Sequence, residues 1–129
     1  RLFDFGNGRA NENIALTYSQ EYKCTPLGLV YIRNDMSCDV YNSSIVLKLN
    51  SWYHLSFVIN SNRKILYLNG MKISDQVSSC SFSNSIQRNL NYIGKSSWHE
   101  DNHTDADIDD LKFYNNTLSE EEIRKDMNR

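Results

Sequence analysis

Four aspartates crowd into the stretch Asp105, Asp107, Asp109 and Asp110. Paired carboxylates are the usual equipment for general acid–base work on glycosidic bonds. On an extended chain Asp105, Asp107 and Asp109 face one way. The outer two Cα atoms then stand about 13 Å apart, at about 3.3 Å per residue. A retaining glycosidase needs its carboxyl groups about 5–5.5 Å apart. Aspartate side chains are short and converge poorly over that span. The plainer reading is a strand start preceded by a solvated loop, and no catalytic residue is assigned.

The same region could bind rather than react. Glu100, Asp101, Asp105 and Asp107 supply hard oxygen donors, which suit Ca²⁺ and not zinc. Asp101, Asp105 and Asp107 form the expected ligand set, with calcium as the expected cofactor, although no EF-hand pattern is present. His99 and His103 would make a metal pair only on a helix, and this stretch reads as loop. Trp98 sits in the same polar loop. It either folds back over the body of the protein or offers a flat apolar face to a sugar ring, with Glu100 and Asn102 hydrogen-bonding hydroxyls. His54 lacks a Ser or Cys at a spacing that would build a triad, so it reads as an interior histidine. Trp52 reads as core.

These residues must be positioned by strands. Trp52 to Ile59 is almost continuously apolar, which suggests a central strand covered on both faces. Asn60, Ser61 and Asn62 supply turn chemistry. Ile65 to Leu68 returns, and Asn69-Gly70 marks a two-residue turn with positive φ at both positions. Further strands are expected at about Arg1–Phe5, Asn13–Ser19, Leu27–Arg33, Ser37–Tyr41, Ser44–Leu49, Asn91–Lys95 and Ile108–Tyr114. One helix closes the chain. Ser119 is its N-cap, and Glu122 completes a capping box. Leu118 and Ile123 can form a hydrophobic staple around it. About ten short strands and one terminal helix indicate an all-β antiparallel sandwich or jelly roll.

Composition narrows the classes. A chain of 129 residues is one domain and can bury a real core. With net charge −2 and no basic block, nucleic acid is not an expected partner. No apolar run is long enough for membrane insertion as a helix. The odd count of 3 cysteines allows one disulfide, and Cys24 with Cys38 is the pairing expected first. Sequons begin at Asn42, Asn102 and Asn115. The opening at Arg1 reads as a mature product or a piece of a longer chain.

The motifs RLFDFGNG, WYHLSFVI followed by ILYLNG, NYIGKSSW and IDDLKFYNNTLSEEEI together resemble the laminin-G-like, concanavalin A-like jelly-roll domains. That resemblance implies two packed antiparallel sheets. It also implies an extracellular or cell-surface module that binds a glycan or an extracellular protein, often beside other domains of a longer parent chain. It further implies a strand upstream of Arg1 that pairs near the last strand, so the single domain spanning 1–129 is expected to lack its first strand. Glucanases of the same fold place three acids at the spacing of Asp105, Asp107 and Asp109, with Glu at the outer two positions. Here both outer positions are Asp. The expected function is non-catalytic recognition. The alternatives are a jelly-roll glycoside hydrolase and a structural spacer in a larger surface protein.

Overall fold

The computed structural model describes residues 1–18, 27–33, 36–42, 45–78, 80 and 85–128. Two antiparallel sheets pack face to face. The larger contains β1 (Phe3–Gly6), β2 (Ile14–Tyr18), β3 (Leu27–Arg33), β4 (Met36–Asn42) and β8 (Leu90–Ile93), in the order β4-β3-β2-β1-β8. The smaller contains β5 (Leu55–Asn60), β6 (Arg63–Leu68) and β7 (Met71–Val77), in chain order. The helix α1 spans Glu120–Met127. The chain is thus a β-sandwich of the jelly-roll class with a short C-terminal helix.

Alternating apolar residues build the core. β1 sets Phe3 against Leu16 of β2, and β2 sets Leu16 against Leu29 of β3. Phe3, Leu16, Leu27 and Leu66 form one buried cluster, with Leu55, Phe57 and Ile73 packed around it. The Phe3 and Phe57 rings stack at 5.3 Å between centroids and join the two sheets. Burying one such side chain contributes about 1.5–3 kcal/mol. A second cluster lies around Tyr31 and Cys80. There the Lys64 side chain is fully buried, its ammonium donating to the Cys80 carbonyl at 3.4 Å and lying 5.7 Å from the Tyr31 ring centroid.

Local signals form as expected. Asn69 and Gly70 both take positive φ, 49° and 71°. The Asn69 amide donates to the His54 carbonyl, and its side-chain oxygen accepts from the His54 amide at 2.9 Å, tying the turn to the start of β5. Gly70 is required twice over, because a Cβ there would also come within 2.9 Å of Arg124 Cγ on α1. The helix starts with the expected capping box: Ser119 Oγ accepts from the Glu122 amide, and Glu122 accepts from the Ser119 amide. Ile123 is buried beneath it.

Several expectations fail. The described part of 44–49 and the whole of 108–114 form no strand. β5 is the edge of its sheet instead of a central strand, and its described side chains are at best half-buried. Trp52 is 69% exposed and not core. Cys24 and the side chain of Cys38 lie outside the described residues. Cys80 is disulfide-bonded.

Candidate functional site

The loop that follows β8 is built on the first strand. Asp4, fully buried, accepts from Asn13 Nδ2 at 2.8 Å and from the Ser97 amide at 2.9 Å. Asn13 is held in turn by the Asn11 amide, which donates to its Oδ1 at 2.8 Å. A buried carboxylate satisfied by two donors is a rigid anchor. Gly94, at φ +70°, turns the chain out of β8 and donates to the Leu2 carbonyl, while Thr104 donates back to the Gly94 carbonyl. The stretch 95–103 is therefore a loop closed at its base.

Trp98, Glu100 and Asn102 all lie on this loop, but they do not form one platform. The Arg1 guanidinium sits 4.2 Å over the centroid of the Trp98 ring, so one indole face is already covered. Arg1 Nε also donates to Asp101 Oδ2 at 2.9 Å, and Ser96 Oγ donates to the same oxygen at 2.7 Å. Burial raises the Asp101 pKa more than any single other influence changes it. The hydrogen bonds from Ser96 and Arg1 and the Arg1 charge together outweigh it and hold the carboxyl below its usual range. Glu100 pairs with Arg9 at 2.9 Å on the surface. Asn102 is exposed.

The proposed metal ligands do not fit calcium. Asp101 spends its Oδ2 on Arg1 and Ser96, and no group of three His, Cys, Asp or Glu side chains converges among the described residues. The acidic run does not lie on a strand. Asp110 has φ +50° and its amide donates to Asp109 Oδ1 at 2.8 Å, a local bond that breaks the extended geometry there. Asp105, Asp107, Asp109 and Asp110 are all exposed. His54 is half-buried, with Nδ1 3.5 Å from Ser56 Oγ.

What these residues share is a border. A broad open cleft is lined by β5, by 47–54, by Trp98 and by 100–118, with Leu2, Phe3 and Phe5 also on its lining. Glu100, Asn102 and the aspartates 105–110 are thus among its lining residues. Its apolar lining includes Trp52 and Phe113, which is 66% exposed although its ring meets Phe5 at 5.4 Å. Sequence reasoning assigned Trp52 to the core and Phe113 to a paired strand. Their apolar character was visible. Their exposure was not.

A laminin-G family model, described as the concanavalin A-like lectin/glucanases superfamily, matches residues 1–124. No curated protein matches the chain. Among solved structures, an S-layer domain-containing protein from Clostridium thermocellum is similar at 15% identity and a TM-score of 0.52. The match covers 88% of this chain and 63% of that one, so the chain spans less than two thirds of that structure.

Proposed function

The chain belongs to the concanavalin A-like lectin/glucanase superfamily, and on that premise we propose that it is a non-catalytic recognition module of a surface-associated protein, binding a glycan or a protein ligand. The observation that carries this reading is the open cleft, whose lining combines exposed aromatic rings with acidic side chains at the wall. Exposed apolar patches rimmed by polar groups mark interaction sites. The hydrolase alternative finds no support in the acidic run, whose members are exposed and out of strand geometry. An extracellular setting and a place beside other domains accord with the family and with the S-layer domain-containing protein of similar fold.

The ligand is expected in the cleft and not on Trp98 alone, since Arg1 occupies one face of that ring. Glycan and extracellular-protein arrays test this. Capture is expected to weaken more with Trp52→Ala than with Trp98→Ala and to be indifferent to EDTA. No reducing sugar should be released from β-glucans. Release that disappears in Asp105→Asn or Asp109→Asn would establish the hydrolase instead.

A further inference from the structure

We propose that Asn69 is a covalent modification site, an asparagine set up to become isoaspartate, and that α1 is the cover that holds the reaction back until the helix leaves.

The chemistry needs only the chain and water. Glycine offers an unhindered backbone nitrogen to the asparagine before it. The Gly70 nitrogen loses its proton and bonds to Asn69 Cγ. The bond from Cγ to Nδ2 breaks, ammonia leaves, and a five-membered succinimide closes. Water then opens the ring. Opening at Cγ gives ordinary aspartate. Opening at the main-chain carbonyl gives isoaspartate, with the backbone running through Cβ. The chain holds two such pairs, Asn7-Gly8 and Asn69-Gly70.

The fold restrains the second pair from two sides. Attack requires the peptide plane between Asn69 and Gly70 to rotate out of the turn. On one side the Asn69 amide donates to the His54 carbonyl at 2.8 Å, and Asn69 Oδ1 accepts from the His54 amide at 2.9 Å. On the other the Gly70 carbonyl accepts from Arg124 Nε of α1 at 3.1 Å. Asn69 is exposed, yet Gly70, which supplies the nucleophile, is buried. A Cβ on Gly70 would stand 2.9 Å from Arg124 Cγ and 3.6 Å from Met127 Cε, so the helix lies directly on it. Both turn residues hold positive φ, and Leu68 pairs with Met71 across them.

Of these restraints the helix yields first. It has eight residues, and Ile123 is its buried one. A helix this short depends on its docking, and it opens locally far more readily than the sheet unfolds. The products then differ in effect. Aspartate keeps an oxygen for the His54 amide, and the turn survives. Isoaspartate inserts a main-chain carbon into a two-residue turn and moves the Gly70 carbonyl away from Arg124. Modification that follows helix release therefore prevents the helix from docking again.

Asn7 supplies an internal reference. Its carboxamide donates to the Gln87 carbonyl at 2.8 Å and accepts from the Asn89 amide at 2.9 Å, and neither partner belongs to α1. Its rate reports opening of the rest of the chain.

The test ages the 129-residue chain in mildly alkaline buffer, with peptide mapping that separates asparagine, aspartate and isoaspartate. Conversion at Asn69 is expected to be slower by about tenfold or more in the folded chain than in urea. Ile123→Ala removes the anchor of the helix and should speed it about tenfold. Arg124→Ala should speed it less. Lys125→Ala should leave it unchanged, because that ammonium meets Glu121 on the surface at 2.9 Å. The Asn7 rate should stay constant across the three variants. Trypsin should cut after Arg124 and Lys125 faster in the purified isoaspartate form, and no faster in Asn69→Asp. Equal rates at Asn69 in folded and urea-unfolded chain overturn the proposal. So does an unchanged rate in both Ile123→Ala and Arg124→Ala. A parallel rise at Asn7 assigns the effect to global unfolding and overturns it too, as does an isoaspartate form no more sensitive to trypsin. Should Ile123→Ala fail to fold, Arg124→Ala against Lys125→Ala decides the matter.

Discussion

Leu27–Arg33 and Ile108–Tyr114 have similar apolar content and opposite fates. LGLVYIR is β3, paired on one side with β2 and on the other with β4, and five of its seven residues are buried. IDDLKFY belongs to no strand among the described residues and is exposed throughout. Both offer apolar residues on an extended backbone. They differ in what lies alongside. β3 finds a partner at each edge, so its backbone groups are satisfied and its side chains reach a closed core. The later segment flanks a cleft, and its backbone is interrupted at Asp110 by a local bond to Asp109. Apolar alternation shows which face can be buried. A partner strand decides whether it is.

The contrast can be broken most forcefully by truncation on its two sides. Leu66→Ala, in the closed core, should destabilise by about 2–5 kcal/mol through lost transfer energy and a residual cavity. Phe113→Ala removes a larger side chain from the cleft wall and should cost well under half as much, since the ring is mostly in water already. Urea denaturation of both variants measures the difference. Equal losses would mean that the wall is packed and the cleft closed.

Next in size is the anchor that joins the first strand to the later loop. Asp4→Ala strands the Asn13 amide and the Ser97 N–H without their acceptor. The expected loss is about 2–3 kcal/mol. Thermal unfolding would reveal it, and a midpoint unchanged from wild type would show that the loop is held by other bonds. Ser119→Ala should cost about 1 kcal/mol, because the Glu122 amide loses its cap. That loss belongs to the helix.

Acid acts on the loop with a smaller effect. The Asp101 pKa is lowered in the fold, so the native state binds its proton less readily than the unfolded chain does. Its stabilisation is therefore complete above the ordinary aspartate value of about 3.9 and is lost as pH falls through the lower folded value. Trp98 fluorescence, read in Trp52→Phe, should change over that acid range as Arg1 is released. Asp101→Asn should abolish the transition. A transition that persists in Asp101→Asn belongs to another group.

How much of this was legible in the sequence follows from distance along the chain. The Asn69-Gly70 turn and the Ser119–Glu122 capping box are made by groups within a few residues of one another, and both were readable directly. The strand runs at Leu27–Arg33 and Ile65–Leu68 were readable from their apolar content. Asp4 was not: nothing in its own short strand marks it as buried, and its partners Asn13 and Ser97 come from the residue just before β2 and from a distant loop. Trp98 was legible as an apolar ring in a polar loop, but the Arg1 guanidinium that covers it lies at the other end of the chain. Trp52 and Phe113 were assigned to covered strands because their residue types demand cover, and residue type does not reveal whether cover is supplied.

Amide hydrogen exchange on the free chain tests the central claim most directly, because it reads edge pairing residue by residue. The account predicts strong protection across β1, β2, β3 and β6. Within β5 it predicts protection at the amides that face β6 and fast exchange at the alternate amides, with fast exchange throughout 105–113. Protection of 108–113 equal to that of β3 would contradict it, since the segment would then be a paired strand and the cleft would be closed.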